Sequence, residues 1–320
     1  MEDSCNKSLK SNICLNIKSN FILRRIFNIL PEKTLLEIIH YNKTIQKRIN
    51  KDIQDFKKYL NIEIEIIPAE SGKFINITKN KNKSYYHIFF DDNKKEIKNI
   101  YSITDAIKNK IKIIIDFEIQ SLKQLFEECE GIKILKFTKF NRKDIKDMSF
   151  MFHQCTSLTH LDLSKMKTNE VKYMRSMFKG CSSLKELNLS NFKVEKVKDF
   201  GWMFYGCKSL LKLNLANFYT PSLTNTNHMF HGCCSLKELN LSNFNTDNVS
   251  DMSGMFFECK SLIELDLSNF NTKNVKDMYC LFYNCSSLEK LDISNFSFNN
   301  VVDMRYFLFG CKIEDEKRKI

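Results

Sequence analysis

The stretch Asn240–Cys259, NLSNFNTDNVSDMSGMFFEC, recurs with small changes before and after itself at one fixed spacing. Cysteines mark the period, because eight of them are each separated by 26 residues: Cys129, Cys155, Cys181, Cys207, Cys233, Cys259, Cys285 and Cys311. Such a period is typical of a solenoid, in which each unit buries its apolar face by stacking on its neighbours. The spacing therefore predicts the architecture of most of the chain.

Leucines follow each cysteine at fixed positions. In the unit that begins at Cys233 they are Leu236, Leu239 and Leu241, and the other units repeat this spacing almost without change. The pattern L-x-x-L-x-L is the strand signature of repeat units of roughly 20–29 residues. We predict an α/β fold, a leucine-rich-repeat solenoid of 26-residue repeats with parallel strands on one face.

The second half of each repeat has a different period. Val249, Met252, Met255, Phe256 and Cys259 fall on one face of a helical turn. This pattern predicts a short helix opposite each strand. A left-handed glycine is expected to end that helix in the units with glycine just before the cysteine, which are those of Gly180, Gly206, Gly232 and Gly310.

The sequence of residues 235–259, SLKELNLSNFNTDNVSDMSGMFFEC, resembles the BspA-like leucine-rich repeats of bacterial surface proteins and unicellular eukaryotes. The resemblance covers about residues 122–311. It implies a right-handed solenoid that binds proteins or surfaces rather than one that catalyses a reaction. Members of that family are often exported, and some are adhesins. The resemblance thus allows a cell-surface adhesin or surface antigen that binds host or matrix proteins.

Residues 20–60 are predicted to form a helical segment, and this segment resembles a second known family. The order I-L-x-x-I-F-x-x-L-P-E-K-x-L-L, residues 22–36, resembles a degenerate F-box. An F-box docks a substrate receptor onto an adaptor of a cullin-type ubiquitin ligase. The residues that this interpretation assigns to adaptor docking are Ile22, Ile26, Phe27 and Leu30. The alternative is a plain helical cap that buries the same side chains against the first coil.

The remaining segments complete the predicted organisation. Ile62, Ile64 and Ile66 alternate with glutamates, as in a half-buried strand, while Ile111–Phe117 and Leu122–Phe126 are expected to begin the repeat stack in an imperfect unit. The predicted segments are a flexible N-terminus at 1–19, a helical segment at 20–60, a mixed α/β cap at 61–121, the solenoid at 122–311 and a charged tail at 312–320.

The net charge of +12 is spread over the chain. We find no zinc finger, basic helix or basic motif interleaved with aromatic residues, so the lysines are interpreted as a solvated surface and no specific nucleic acid is expected. Met1–Asn20 has no apolar run of the signal-peptide type, and no later run approaches the roughly 18 apolar residues of a membrane span. These features predict a cytoplasmic protein, with the cell surface as the alternative.

The densest cluster of candidate metal ligands is H-x-x-H-x-C-C, formed by His228, His231, Cys233 and Cys234. Cys233 belongs to the cysteine column that faces the core, where a reduced thiol behaves as a small apolar residue. A tetrahedral zinc site is therefore not expected. With no nucleophile motif, phosphate loop or paired carboxylates either, we predict a protein without cofactor, metal or catalytic activity.

A partner is expected on the strand side, where the residues between the leucines point outward. We predict a protein-binding face, the partner itself being unknown. Its residues are Lys185, Asn188, Lys212, Asn214, Lys237, Asn240, Glu264, Asp266, Lys290 and Asp292.

Two further surfaces are candidates. Trp202, Tyr205 and Tyr219 lie in the most irregular repeat and could form an aromatic interaction patch, since aromatic residues are enriched at binding hot spots. The alternative is local packing around Pro221. The last complete strand, Leu288–Ile293, has no following coil, so the charged tail shields this strand edge or the chain self-associates through it.

Overall fold

The computed structural model describes residues 16–30, 34, 38, 42–50, 60–77, 83–103 and 109–313. Most of the predicted flexible N-terminus and charged tail lies outside these residues. The chain divides into two compact units, Met1–Asn61 and Ile62–Ile320.

The first unit contains two described helices. Helix α1, Asn20–Ile29, begins at Ser19, whose hydroxyl accepts the Ile22 amide at 3.3 Å. It ends at Leu30, whose extended backbone suits the residue before a proline. The apolar side chains of Leu23 and Phe27 are buried.

Helix α2, Lys43–Ile49, follows the same rules. The Asn42 side chain accepts the Ile45 amide at 3.1 Å, and the helix ends at Asn50 in the left-handed conformation. Ile45 and Ile49 are buried. Residues of the predicted helical stretch between the two helices lie largely outside the described part.

The second unit begins with a five-stranded sheet of order β2-β3-β1-β4-β5. Its strands are β1 Ile62–Pro68, β2 Tyr86–Phe90, β3 Ile111–Ile115, β4 Ile132–Phe140 and β5 His160–Asp162. The alternation predicted for β1 is confirmed, because Ile62, Ile64 and Ile66 are fully buried. The sheet joins the mixed segment to the first repeats.

Strand β3 corrects one prediction. Residues 111–117 were expected to begin the repeat stack, whereas Ile113 of β3 pairs antiparallel with Ile64 of β1 and Ile88 of β2. Only β4 and β5 pair in parallel within this sheet, with Leu135 opposite Leu161. The stack itself begins at Leu122, whose amide donates to the Asp147 carbonyl one repeat later at 3.0 Å.

Short parallel strands connect the later repeats. They are β6 Lys212–Asn214, β7 Glu238–Asn240, β8 Glu264–Asp266 and β9 Lys290–Asp292. Leu213 pairs with Leu239, and Leu265 pairs with Leu291, each one repeat away. A second parallel ladder of single bridges runs at the same 26-residue spacing from Asp147 to Asp303. The parallel strands of a leucine-rich-repeat fold are thus present on the predicted side.

The predicted short helices do not form. In the described repeats, residues 122–311, the segment before each cysteine is a succession of turns. The reason is a left-handed backbone at two positions of each repeat. Trp202 lies five residues before Cys207 and has a φ of 63°, and Gly206 lies one residue before it and has a φ of 68°. The φ angles at the equivalent positions of the other repeats are also positive. Two left-handed residues four positions apart interrupt a right-handed helix. The prediction of a left-handed glycine before the cysteine is confirmed.

A column of stacked phenylalanines fills the core. Phe126, Phe152, Phe178, Phe204, Phe230, Phe256 and Phe282 are buried. Neighbouring rings lie 5.4 to 5.7 Å apart between centroids and within 12° of parallel. Each repeat contributes one ring, so no repeat buries its ring without a neighbour.

Asparagines bind the repeats together at the strand ends. The Asn217 side-chain amide donates to the Leu189 and Phe192 carbonyls of the preceding repeat, both at 3.1 Å. Asn269 makes the corresponding bonds to Leu241 and Phe244. The asparagine that precedes a buried phenylalanine, Phe218 or Phe270, thus satisfies backbone carbonyls between repeats, a role that the sequence alone did not assign to it.

Candidate protein-binding surface

The strand side of the repeats carries a broad depression of about 1270 Å³ that is open to solvent. Nine of the ten residues predicted for the binding face line it: Asn188, Lys212, Asn214, Lys237, Asn240, Glu264, Asp266, Lys290 and Asp292. Lys185 is exposed but is not among the lining residues. We call this surface the strand face. Five successive repeats contribute to it, so it is large enough for a macromolecule.

A row of Asn and Asp side chains is held rigidly along the strand face. The Oδ1 atoms of Asn188, Asn214 and Asn240 each accept the amide of the residue two positions later, at 3.0 Å. Asp266 and Asp292 make the same bond. In the asparagines this bond uses Oδ1 and leaves the Nδ2 donor. Nothing in the described part of the chain accepts from these three donors.

The carboxylates at the end of this row stay ionised. Hydrogen bonds from Ser268 lower the pKa of Asp266, and hydrogen bonds from Ser294 lower the pKa of Asp292. Both side chains are exposed. The three asparagines therefore offer hydrogen-bond donors along the first three repeats of the strand face, while the two aspartates offer charged acceptors in its last two repeats.

Ion pairs cross between neighbouring repeats on the same surface. Lys212 lies 3.5 Å from Glu238, and Lys290 lies 3.5 Å from Glu264. All four side chains are at least 64% exposed, so these pairs contribute little to stability. Their charges remain available to a partner.

Trp202 and Tyr205 lie together, as the predicted aromatic patch requires. Their ring centroids are 4.8 Å apart, and the Lys179 ammonium lies 4.2 Å from the Trp202 ring centroid. Burial and the neighbouring Arg175 lower the pKa of Lys179. Tyr219 is not part of this cluster: its ring is 54% exposed, and no described ring contact joins it to the other two.

The cluster continues as an aromatic ladder that sequence reasoning missed. Tyr205, His231, Phe257, Tyr283 and Phe309 stand two residues before successive cysteines and stack with centroids 4.2 to 5.2 Å apart. The signal was available, because aligning the repeats on their cysteines places these five rings in one column. We call this set the outer ring ladder.

The two histidines of the cluster contact each other. His228 Nδ1 lies 3.1 Å from His231 Nδ1. Burial, with contributions from His228 and Lys179, lowers the pKa of His231 to about 4. Among the described residues no three His, Cys, Asp or Glu side chains are placed to hold a metal ion. Cys233 points into the core, where its thiol donates to the Phe204 carbonyl at 3.2 Å.

The predicted adaptor-docking residues on α1 differ in exposure. Ile22 is 52% exposed, whereas Phe27 is buried. Ile26 and Leu30 are half-buried. The apolar side chains that α1 exposes most are Phe21 and Ile29, at 68% and 82%. The helix therefore presents a different apolar surface from the one that the sequence pattern indicated.

None of the described helices has the length and apolar character needed to cross a membrane.

The repeats define a protein of the leucine-rich-repeat class. The model of one family, described as "Mycoplasma protein of unknown function, DUF285", matches residues 120–238 and 209–318. Together these matches cover more than half of the chain, and the chain belongs to that family. No curated protein matches it.

Two solved structures resemble the chain. One is a leucine-rich repeat protein from Bacteroides ovatus, 20% identical, with a TM-score of 0.41; the likeness covers 66% of this chain and 48% of that protein. The other is a leucine-rich repeat protein of T. pallidum, 18% identical, with a TM-score of 0.32, covering 52% of this chain and 76% of that one. The chain therefore spans about half of the Bacteroides protein. Likenesses this weak say nothing about its function.

Proposed function

We propose that the chain is a non-enzymatic protein-interaction scaffold, a solenoid whose strand face binds a protein partner. The observation that carries this proposal is the assembly of nine exposed polar residues from five repeats around one depression. Depressions of this breadth suit a protein surface better than a small molecule, because small-molecule sites enclose most of their ligand and are mostly apolar. Here the polar groups alternate with partly covered leucines such as Leu239 and Leu291.

The distribution of charge describes the partner further. In the first three repeats of the strand face, Lys212 and Lys237 are balanced by Glu186 and Glu238, so this part carries no net charge. In the last two repeats, Glu264, Asp266 and Asp292 outnumber Lys290, which favours a basic segment. A partner that presents a basic stretch to this end of the strand face fits the charges, and electrostatic complementarity of this kind governs specificity and association rate.

The test is affinity capture with the full chain and two variants of equal charge change. The strand-face variant is Lys212→Glu with Lys237→Glu, and the control is Lys198→Glu with Lys276→Glu, two exposed lysines that do not line the depression. The strand-face variant is expected to lose a protein that both wild type and control retain. If all three chains retain the same proteins equally, the strand face is not the binding surface.

A second candidate function is that of a substrate receptor of a cullin-type ubiquitin ligase. The observation that favours it is the exposure of Phe21, Ile22 and Ile29 on α1, an apolar surface that an adaptor could cover. The full chain and its Phe21→Ala, Ile22→Ala double variant would be tested against a purified adaptor, with Arg24→Ala as the control. Binding by the control and not by the double variant supports this role. Equal results for all chains reject it.

An adhesin or surface antigen is the alternative that the BspA-like resemblance offers. It requires the protein on the outside of the cell, and cytoplasmic location is the competing proposal. Labelling of intact cells with a membrane-impermeant biotin reagent separates the two. Labelling before lysis supports the adhesin, and labelling only after lysis supports the cytoplasmic scaffold.

A further inference from the structure

The turn segments before the cysteines are joined by a regular ladder of backbone hydrogen bonds. In the repeat of Cys259, the amides of Met252, Gly254, Phe256 and Glu258 donate to carbonyls of the next repeat at 2.7 to 2.9 Å. The same four positions donate forward in every repeat from Leu122 to Asn284, Met174 excepted. Each turn segment therefore offers N–H donors to its successor and carbonyl acceptors to its predecessor.

The last turn segment is open on its donor side. Its equivalent amides belong to Met304, Tyr306, Leu308 and Gly310, and no described residue accepts from them. Its carbonyls, by contrast, are used, since Asp303, Arg305, Phe307 and Phe309 accept from the preceding repeat. An edge of unsatisfied backbone groups is a template for pairing with another extended chain.

The outer ring ladder is open at the same place. Phe309 stacks on Tyr283 with centroids 5.2 Å apart and meets the edge of the Tyr306 ring at 5.9 Å, and it is still 56% exposed. Val302 and Tyr306 are also exposed, at 86% and 54%. The last turn segment thus presents an apolar surface together with a row of donors. We call it the terminal edge.

A second copy of this chain does not satisfy the terminal edge. Two copies meeting through their last turn segments would bring one row of N–H donors against another, and a buried unsatisfied donor costs about 1–3 kcal/mol. Head-to-tail docking needs the carbonyl row of the first turn segment. One acceptor of that row is already taken, because the Asn76 amide donates to the Leu125 carbonyl at 2.8 Å, so a second copy docked head to tail would leave a donor of the terminal edge unsatisfied.

We propose that the terminal edge binds a segment of another protein that adopts the same succession of turns, one with the sequence character of a further turn segment. Such a segment presents alternate carbonyls to Met304, Tyr306, Leu308 and Gly310 and places an aromatic ring on Phe309. The evidence is continuity, since this interface is already built between each pair of successive repeats within the chain. The mode of binding adds one more turn segment to the stack, the counterpart for turns of strand addition to a sheet edge.

The probe is a synthetic peptide with the sequence SDMSGMFFECK, that of residues 250–260. In the protein the carbonyls of Asp251, Ser253, Met255 and Phe257 accept from the preceding repeat, so the peptide carries the required acceptors and ring. Hydrogen exchange of the full chain is measured with and without reduced peptide. Exchange in residues 303–311 is expected to slow when the peptide binds, while residues 277–285 stay protected throughout.

Variants test the assigned contacts. Phe309→Ala removes the terminal ring and is expected to weaken peptide binding about three- to tenfold, the usual value of an aromatic pair. Ile263→Ala is the control and keeps the wild-type affinity, since Ile263 is an exposed apolar residue that precedes strand β8, away from the terminal edge. Unchanged protection of residues 277–285 shows that each variant is folded.

Three results would overturn the proposal. One is no difference between this peptide and a scrambled peptide of the same composition. Another is binding that leaves exchange in 303–311 unchanged or that Phe309→Ala does not weaken. The third is protection of 303–311 without peptide that rises with protein concentration together with a doubling of mass, because that would assign the terminal edge to a second copy.

Discussion

The Cys181 thiol donates a hydrogen bond to the Phe152 carbonyl of the preceding repeat, with Sγ and O 3.1 Å apart. The same bond occurs at seven cysteines, from Cys155 to Cys311, at 2.9 to 3.3 Å. Burial raises the pKa of the five thiols from Cys155 to Cys259, in Cys207 to about 12. The column therefore stabilises the stack as neutral donors, and this explains why cysteine marks the period.

Replacing Cys181 by alanine is expected to lower the free energy of unfolding by about 1–2 kcal/mol, because the hydrogen bond is lost and a small cavity remains. Cys234→Ala is the control, since Cys234 is only half-buried and lies outside the column. Urea unfolding followed by circular dichroism measures both. Equal effects of the two substitutions would show that the thiol bond contributes nothing.

The stacked phenylalanines predict a larger effect. Phe204 lies between Phe178 and Phe230, 5.6 Å from each ring centroid, and is fully buried. Phe204→Ala is expected to cost about 3–5 kcal/mol. In a repeat stack this loss also weakens coupling to the next repeat, so unfolding should become less cooperative. The m-value of Phe204→Ala in urea is expected to be lower than that of the wild type. The m-value of the exposed control, Tyr219→Ala, is expected to be unchanged.

A pH dependence follows from the histidine of the outer ring ladder. His231 stacks between Tyr205 and Phe257, and burial lowers its pKa to about 4. The folded state therefore favours neutral imidazole. Its stability contribution is complete above about pH 6.5, the unfolded value, and is lost progressively as the pH falls towards 4.

His231→Phe tests this sign, because Phe257 shows that the column accepts a phenyl ring. The variant is expected to lose less stability than the wild type between pH 6.5 and 4, measured by urea midpoints at fixed ionic strength. His160→Phe is the control, since His160 is exposed at the start of strand β5. A wild type and His231→Phe variant with parallel pH profiles would contradict the assignment.

Substitutions on the strand face are expected to weaken partner binding without changing the free energy of unfolding. Lys212→Ala breaks an exposed ion pair with Glu238 at 3.5 Å and is expected to change the free energy of unfolding by less than about 0.5 kcal/mol. Any loss of partner binding in this variant then reports the surface and not the fold. Thermal unfolding of the wild type and of Lys212→Ala measures this change in stability. A large destabilisation of the variant would contradict the prediction.

The spacing of cysteines and leucines was enough to predict the repeat, the parallel strands and nine of the residues that line the depression. These features depend on side chains that recur in every unit, so one sequence contains several copies of the evidence. The outer ring ladder was not predicted, because the residue type at its position changes from one repeat to the next, from Tyr205 to His231 to Phe257. It becomes visible only when position, not identity, is compared.

The helix prediction was wrong for a different reason. Apolar residues at intervals of three and four are typical of a helix, but successive tight turns place side chains on one side at the same intervals. Trp202 and His228 have φ values of 63° and 52°, and neither residue type announces a left-handed backbone. Strand β3 was misassigned because Ile113 and its neighbours suit a buried strand in either kind of sheet.

The left-handed positions provide the last prediction, since one column contains both glycine and other residues. Gly232 has φ of 69° and Glu258, its equivalent one repeat later, has φ of 54°. Gly232→Ala introduces a Cβ where the left-handed backbone disfavours one and is expected to cost about 1 kcal/mol. Glu258→Gly relieves the same strain and is expected to stabilise the protein by a smaller amount, because glycine also increases the entropy of the unfolded chain. Urea midpoints should therefore move in opposite directions for the two variants. Movement in the same direction would mean that the contacts of the glutamate side chain, which lies 3.6 Å from the Lys260 ammonium, outweigh the backbone at this position.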